Sequence, residues 1–470
     1  MLNRADIFRI VSILLALLLA VAAPVVAGGY INVAKAEAAF SRSDYLTAGQ
    51  NFEMAARVLP WKPQLWDSAG FSYSIARDWE HAQPAFVMGR KLGVLSVNSW
   101  ALYGYSYCCD GVNQRSLDIW AAGLKQYPNA LIFYYWAAWA NRDRRDYTAE
   151  QQALQTWLTS GKGKAIDYYR MGELLTTLDP NRARAPLQQA AAMDPSYAPA
   201  VRTLLAWLDL AAIQTEPASR LVMIGRGLGL TDDWPLAESV FEQAVAADAQ
   251  NGEAWAMLGE AHQENGAEGK AELDKALTLA PSSALVHGLR GLYWTRQGHD
   301  SERLAEYQAA AGLDPTNAEW QADLGAAYAA TGDPQSALTS FQKATGFAPD
   351  NARYWSLLAL FCADHDSHVF DIGLPAARNA VQLAPNDAQA LHSLGWSLAQ
   401  TGRLSAAAPI LMQATLLDPS SAAAHLHLAQ TYLRQGDQTS ALVELQLAFQ
   451  MDAGGEVGQA AWQLLNQYSP

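Results

Sequence analysis

The sequence predicts an all-α chain, a solenoid of tandem antiparallel helix hairpins preceded by one apolar N-terminal helix. Three observations predict it. Pro281, Pro315, Pro349, Pro385 and Pro419 recur at intervals of about 34 residues, the spacing of helix-turn-helix repeats. Between these prolines small and aromatic residues return in the same phase, as in Leu324-Gly325 followed by Tyr328. The 470-residue chain is 50% apolar and only 17% charged, enough to build a continuous core and too apolar for disorder.

The first element is the apolar one. Arg4 and Arg9 precede an uncharged stretch from Ile10 to Ala27. Its Leu, Ile and Val side chains, at roughly −0.3 to −0.6 kcal/mol each, favour bilayer insertion. Pro24-Val25-Val26-Ala27 is similar to a signal-peptidase site. Residues 1–29 are therefore expected to be a membrane anchor or a signal segment. The retained anchor predicts a single-pass membrane protein whose C-terminal part is extracytoplasmic, with Arg4 and Arg9 on the cytoplasmic side. The alternative is export after cleavage.

The repeats follow. Each proline closes a helix, because it cannot donate a backbone hydrogen bond, and the neighbouring Asp and Asn residues make the turn. In the unit Ala318–Asn351, Leu324-Gly325 and Tyr328 lie on the first helix, Gly332 turns the hairpin, and Ala337, Phe341 and Ala344 pack the second helix before Pro349. The next units carry Leu394-Gly395, Gly402, Ala407, Leu411 and Ala414, then Leu428-Ala429, Tyr432, Gly436, Ala441, Leu445 and Ala448. Upstream, Trp66, Gly70, Tyr73, Ala82 and Phe86 are in phase, as are Trp100, Gly104, Tyr107, Gly111 and Trp120. In this pattern the chain resembles the tetratricopeptide repeat family over roughly residues 31–453, and the resemblance implies a right-handed superhelical solenoid. The register loosens between Gly161 and Lys164, and Val201–Thr215 reads as one additional helix. A seam is expected there, dividing an N-terminal repeat segment, 30–196, from a C-terminal one, 197–453. After Gly454-Gly455, residues 454–470 read as a capping helix with Gln459, Gln463 and Gln467 on a polar face.

The chemistry that composition excludes is as informative. A formal charge of −14 argues against a nucleic-acid partner, since phosphate binding needs clustered Lys and Arg. Cys108, Cys109 and Cys362 have neither disulfide-framework nor zinc spacing. No His-Glu-x-x-His, P-loop or Gly-x-Ser-x-Gly pattern occurs, so no enzyme, cofactor or metal is expected. Gly225-Arg226-Gly227-Leu228-Gly229 follows no strand and reads as helix rather than a phosphate loop. His365 and His368 read as a polar turn, and His425 and His427 point in different directions on one helix.

The resemblance implies that binding occurs on the concave face lined by the first helix of each hairpin. The groove-facing positions of the family fall here on Phe71, Tyr105, Tyr135, Trp139 and Arg142, beside Asp67 and Asn98. Further on they carry Glu253, Glu260, Glu264, Ala326, Ala329, Ala330 and Leu360. The Lys and Asn clamp of the chaperone-tail-binding members is missing, with Asp67, Ala101 and Tyr135 among the residues at those places. An aromatic stripe of this kind either grips an extended partner or packs between hairpins. The expected function is a non-enzymatic scaffold that binds a protein or peptide partner on the extracytoplasmic side of a membrane. The rival is a scaffold that binds carbohydrate in envelope polysaccharide assembly or export, because rings also stack on sugars.

Overall fold

Helix starts are written locally along the whole chain. Asp44, Asp78, Asp146, Asn251, Asp333, Asp387 and Asp437 each cap a helix, accepting a hydrogen bond from a backbone N–H two or three residues inside it. Helix ends follow the proline ladder: helices terminate at Leu279, Leu313, Phe347, Leu383 and Leu417, each two residues before a proline. At Gly332, φ of 80° turns one helix into the next, a conformation that a Cβ would strain.

The computed structural model describes residues 4–108 and 113–468. Among them are 26 α-helices, a short 3-10 turn at Pro195–Tyr197 and a π-helical turn at Val369–Gly373, with no strand. The chain is an all-helical solenoid of antiparallel hairpins. It divides into two compact units, Met1–Glu216 with Met223–Val240, and Pro217–Val222 with Phe241–Pro470. Cys109 and Gly111 lie outside the described residues, as do the side chains of Arg4 and Arg9.

Hairpins close where glycine faces a large side chain. A Cβ on Gly70 would sit 2.6 Å from the Phe86 ring, one on Gly104 2.1 Å from Trp120 and one on Gly395 2.6 Å from Leu411. The rings and branched chains that fill these crossings form the core: Tyr73, Phe86, Trp120 and Phe133 in the first unit, Phe341, Leu358, Leu411 and Leu428 in the second. Each hairpin thus covers the apolar edge of its neighbour, and stability accumulates through nearest-neighbour interfaces. A separate helix, Ala198–Ala212, occupies the place of the additional helix, and Gly225–Gly229 lies within the helix Pro217–Gly229. The C-terminal helix runs Glu456–Tyr468 with Gln459, Gln463 and Gln467 exposed.

The membrane expectation is corrected. Among the described residues, no helix is long and apolar enough to cross a membrane, so the single-pass placement fails. The expectation treated Gly28-Gly29 as the end of a free-standing apolar segment. In the structure neither Pro24 nor the glycine pair interrupts the helix, which runs from Arg4 to Ser41. A Cβ on Gly29 would lie 2.8 Å from the Leu59 and Val58 side chains, and Ala36 and Ala39 are fully buried. The segment is therefore continuous with the helix that packs as the first arm of the first hairpin.

Candidate functional site

The five residues expected in the groove lie on three first helices, Gln64–Ile75, Val97–Cys108 and Ile132–Asp143. They do not form one row. Phe71 is half-buried, 6.3 Å from the Phe40 ring, and shares a cavity of about 330 Å³ with Phe52, Asp67 and Asn98. Asp67 is fixed there by accepting hydrogen bonds from the Ser96 backbone N–H, at 2.9 Å, and from its hydroxyl.

Tyr105 and Tyr135, also half-buried, belong to a ladder of rings that crosses hairpins. Tyr105 lies 5.8 Å edge-on to Trp79 and 5.0 Å from Trp136, while Tyr135 lies 5.2 Å from both Trp136 and Trp157. Burial, followed by the charge of Asp167, raises the Tyr135 phenol above its ordinary range. Trp136, which joins the two tyrosines, carries the ladder and was not singled out by the repeat register.

Trp139 and Arg142 are brought together. Trp139 is 47% exposed, and both residues open onto a cavity of about 420 Å³ that Tyr147, Arg145, Asp232 and Asp233 also line. Its floor is an ion cluster built on Arg170. The Arg170 guanidinium donates to both oxygens of Glu150, at 2.6 and 2.9 Å, to Glu173 at 3.3 Å, and to Asp233. All four side chains are buried. Burial opposes the Arg170 charge, but the bond to Glu150 and the fields of Asp233, Glu150 and Glu173 outweigh it and raise its pKa. Burial, then repulsion from Asp233, pushes Glu173 up to about 7. Burial likewise raises the Tyr147 phenol to about 12, with a further contribution from Asp233.

Sequence reasoning missed this cluster. A lone Arg170 inside Tyr168-Tyr169-Arg170-Met171 is the local sign of a buried charge, yet its partner Asp233 stands 63 residues away. The groove positions of the second unit are partly occupied as well, since Arg296 binds both Glu260 and Glu264.

The histidines scatter. His365 Nδ1 lies 3.0 Å from the Phe361 carbonyl and His368 Nδ1 3.0 Å from Asp371, so they do not converge. His425 pairs with Glu444 at 2.5 Å, whereas His427 lies 2.8 Å from His392 and stacks 4.0 Å from Trp396. Burial lowers the pKa of His392 to about 4 and depresses that of His427. Among the described residues no group of three or more His, Cys, Asp or Glu side chains could hold a metal ion.

No curated protein matches the chain. The crystal structure of the Cut9–Hcn1 hetero-tetramer of the APC/C is similar over 94% of this chain and 96% of that one, at 13% identity and a TM-score of 0.48. Yeast Tom70 is similar over 94% and 95%, at 16% identity and a TM-score of 0.37. YrrB, described as a tetratricopeptide repeat protein with an unusual peptide-binding site, covers 41% of this chain and 97% of its own, at 23% identity and a TM-score of 0.29. Family models described as tetratricopeptide repeat match residues 304–361, and 223–284, 358–418 and 406–456. Residues 223–284 and 304–456 of this chain are therefore tetratricopeptide repeats.

Proposed function

We propose that the chain is a non-enzymatic scaffold that holds a protein partner as an extended segment along the first helices of its N-terminal hairpins. The family commonly serves protein interaction, and the function lives in the site rather than in the fold. The observation that carries the reading is Trp139. Its ring is 47% exposed at the mouth of a 420 Å³ cavity, beside the exposed Arg142 and Arg145. Tryptophan and arginine dominate binding hot spots, because each combines a large contact surface with directed polar groups. Tyr105 and Tyr135 pack in the ring ladder on the same set of first helices, and Phe71 lines a cavity of its own.

Selection of a displayed random-peptide library on the full chain tests the reading. Enriched peptides should lose about tenfold or more in affinity for Trp139→Ala, the scale of a hot spot, while the melt of the variant stays put. A library that yields no binder, or binders indifferent to Trp139→Ala, overturns it.

A further inference from the structure

The cavity beside Phe71 combines aromatic walls with one uncompensated charge. Phe40, Phe52 and Phe71, from three successive helices, line the space of about 330 Å³ together with Asp67. Phe52 belongs to the core, whereas Phe40 is 38% exposed, so the space runs from a buried ring out to solvent. The Phe40 and Phe71 rings stand 6.3 Å apart, tilted by 36°. Asp67 Oδ1 accepts both bonds from Ser96 and so ties one first helix to the start of the next. That structural duty occupies one oxygen only. Oδ2 has no hydrogen bond and is not sealed off from solvent, and the carboxylate has no ion-pair partner among the described residues. No Lys, Arg or His lines the cavity. An anion is therefore repelled, and a neutral apolar occupant would desolvate the carboxylate without compensating it.

We propose that this cavity binds a quaternary ammonium group, the trimethylammonium head of a small solute or of a methylated lysine. The inference goes beyond the partner reading and does not depend on it, because the Trp139 cavity is lined by different residues. Aromatic rings attract a cation that comes within about 6 Å of their centroids, and Asp67 supplies the opposite charge in the same wall. The cation has to be apolar on its outside. A primary ammonium brings three donors and a guanidinium five, all of which need acceptors, and phenylalanine offers none. The Ser68 and Ser72 hydroxyls that also line the cavity are turned to carbonyls of their own helix. A trimethylammonium has no donor to satisfy. Its methyl groups pack against the rings, and its charge needs only the field of the carboxylate.

Saturation-transfer NMR titrations on the full chain test this with choline as the probe. Beside it run dimethylbutanol, the neutral isostere with a tert-butyl group in place of the trimethylammonium, and ethanolamine, which lacks the methyl groups. Choline should bind about tenfold or more tighter than the isostere, and tighter than ethanolamine. Asp67→Asn should remove most of the preference over the isostere; it keeps the oxygen that the Ser96 N–H uses, so the turn stays in place. Phe71→Leu should weaken choline by about tenfold; the other comparisons need only the parent and Asp67→Asn, so they decide even where this variant melts early. Equal affinity for choline and the isostere overturns the proposal, as does tighter binding of ethanolamine. A preference that survives Asp67→Asn, or no binding of choline, overturns it too. Nα-acetyl-trimethyllysine methylamide beside choline identifies the source, the tighter of the two carrying the head group.

Discussion

Replacing Arg170 by Met removes the only cation from a buried cluster and leaves Glu150, Glu173 and Asp233 facing one another. The side chain fills a similar volume, so the loss is electrostatic. Four hydrogen bonds disappear, two of them the bidentate pair to Glu150. Breaking a buried ion pair from one side typically destabilises by about 3–5 kcal/mol, because the remaining charge is uncompensated. The pH dependence gives the argument its sign. Glu173 titrates near 7 in the folded chain against 4.5 when unperturbed, so between those values the folded state holds a proton that the unfolded state has released. The contribution of Glu173 to stability should therefore fall as pH rises from about 4.5 to 7. The buried His392 and His427, whose pKa values are lowered, contribute with the opposite sign in parent and variant alike, so the sign is read from the difference between the two. Without the guanidinium Glu150 and Glu173, both already raised by burial, titrate higher still, so the deficit of Arg170→Met should be largest above pH 7 and shrink toward pH 5. Urea titration at both pH values reads this, with amide exchange in the helices Tyr147–Leu158 and Ala165–Leu178 reporting the site directly. A deficit below about 1 kcal/mol at pH 7.5, or one that grows on acidification, would refute the reasoning.

Other perturbations separate packing from binding. Tyr147→Phe should raise stability by about 1 kcal/mol, since it deletes a buried hydroxyl with no partner; an earlier melt would show that the hydroxyl is bonded in solution. Tyr105→Ala opens a gap between Trp79 and Trp136 and should destabilise by about 3 kcal/mol or more, whereas the exposed Trp139→Ala should change the urea midpoint little; equal shifts would reverse the division between ladder and rim. Gly104→Ala puts a methyl 2.1 Å from the Trp120 indole nitrogen, which donates to the Ala101 carbonyl at 3.0 Å. It should lose about 1–3 kcal/mol by overpacking, and parent-like thermal unfolding would count against that crossing.

How much of this was legible depends on the distance over which each feature is decided. Hairpins are local objects. The periodic prolines, the capping Asp and Asn residues and the glycine of each crossing act within one repeat, so the all-helical solenoid could be read from residues such as Leu324-Gly325, Tyr328, Phe341 and Pro349. The terminal helix was legible for the same reason: Gly454-Gly455 ends one element and a polar face begins the next.

What only the tertiary structure decided is whatever depends on a neighbour outside the repeat. Gly28-Gly29 reads as a boundary in one dimension, yet the helix runs unbroken from Arg4 to Ser41, and Gly29 lets the Leu59 and Val58 side chains pack against it. The aromatic stripe reads as one surface, but hairpin stacking divides it: Tyr105 and Tyr135 join the tryptophan ladder, and Trp139 is left at the rim. The ion cluster is the extreme case. Arg170 and Asp233 meet across 63 residues, and no periodicity records which distant carboxylate will neutralise a buried guanidinium. Local periodicity sets which residues become helices and where they turn, while charge pairing and ring sorting wait for packing, because a buried charge or an exposed ring is defined only by what lies against it.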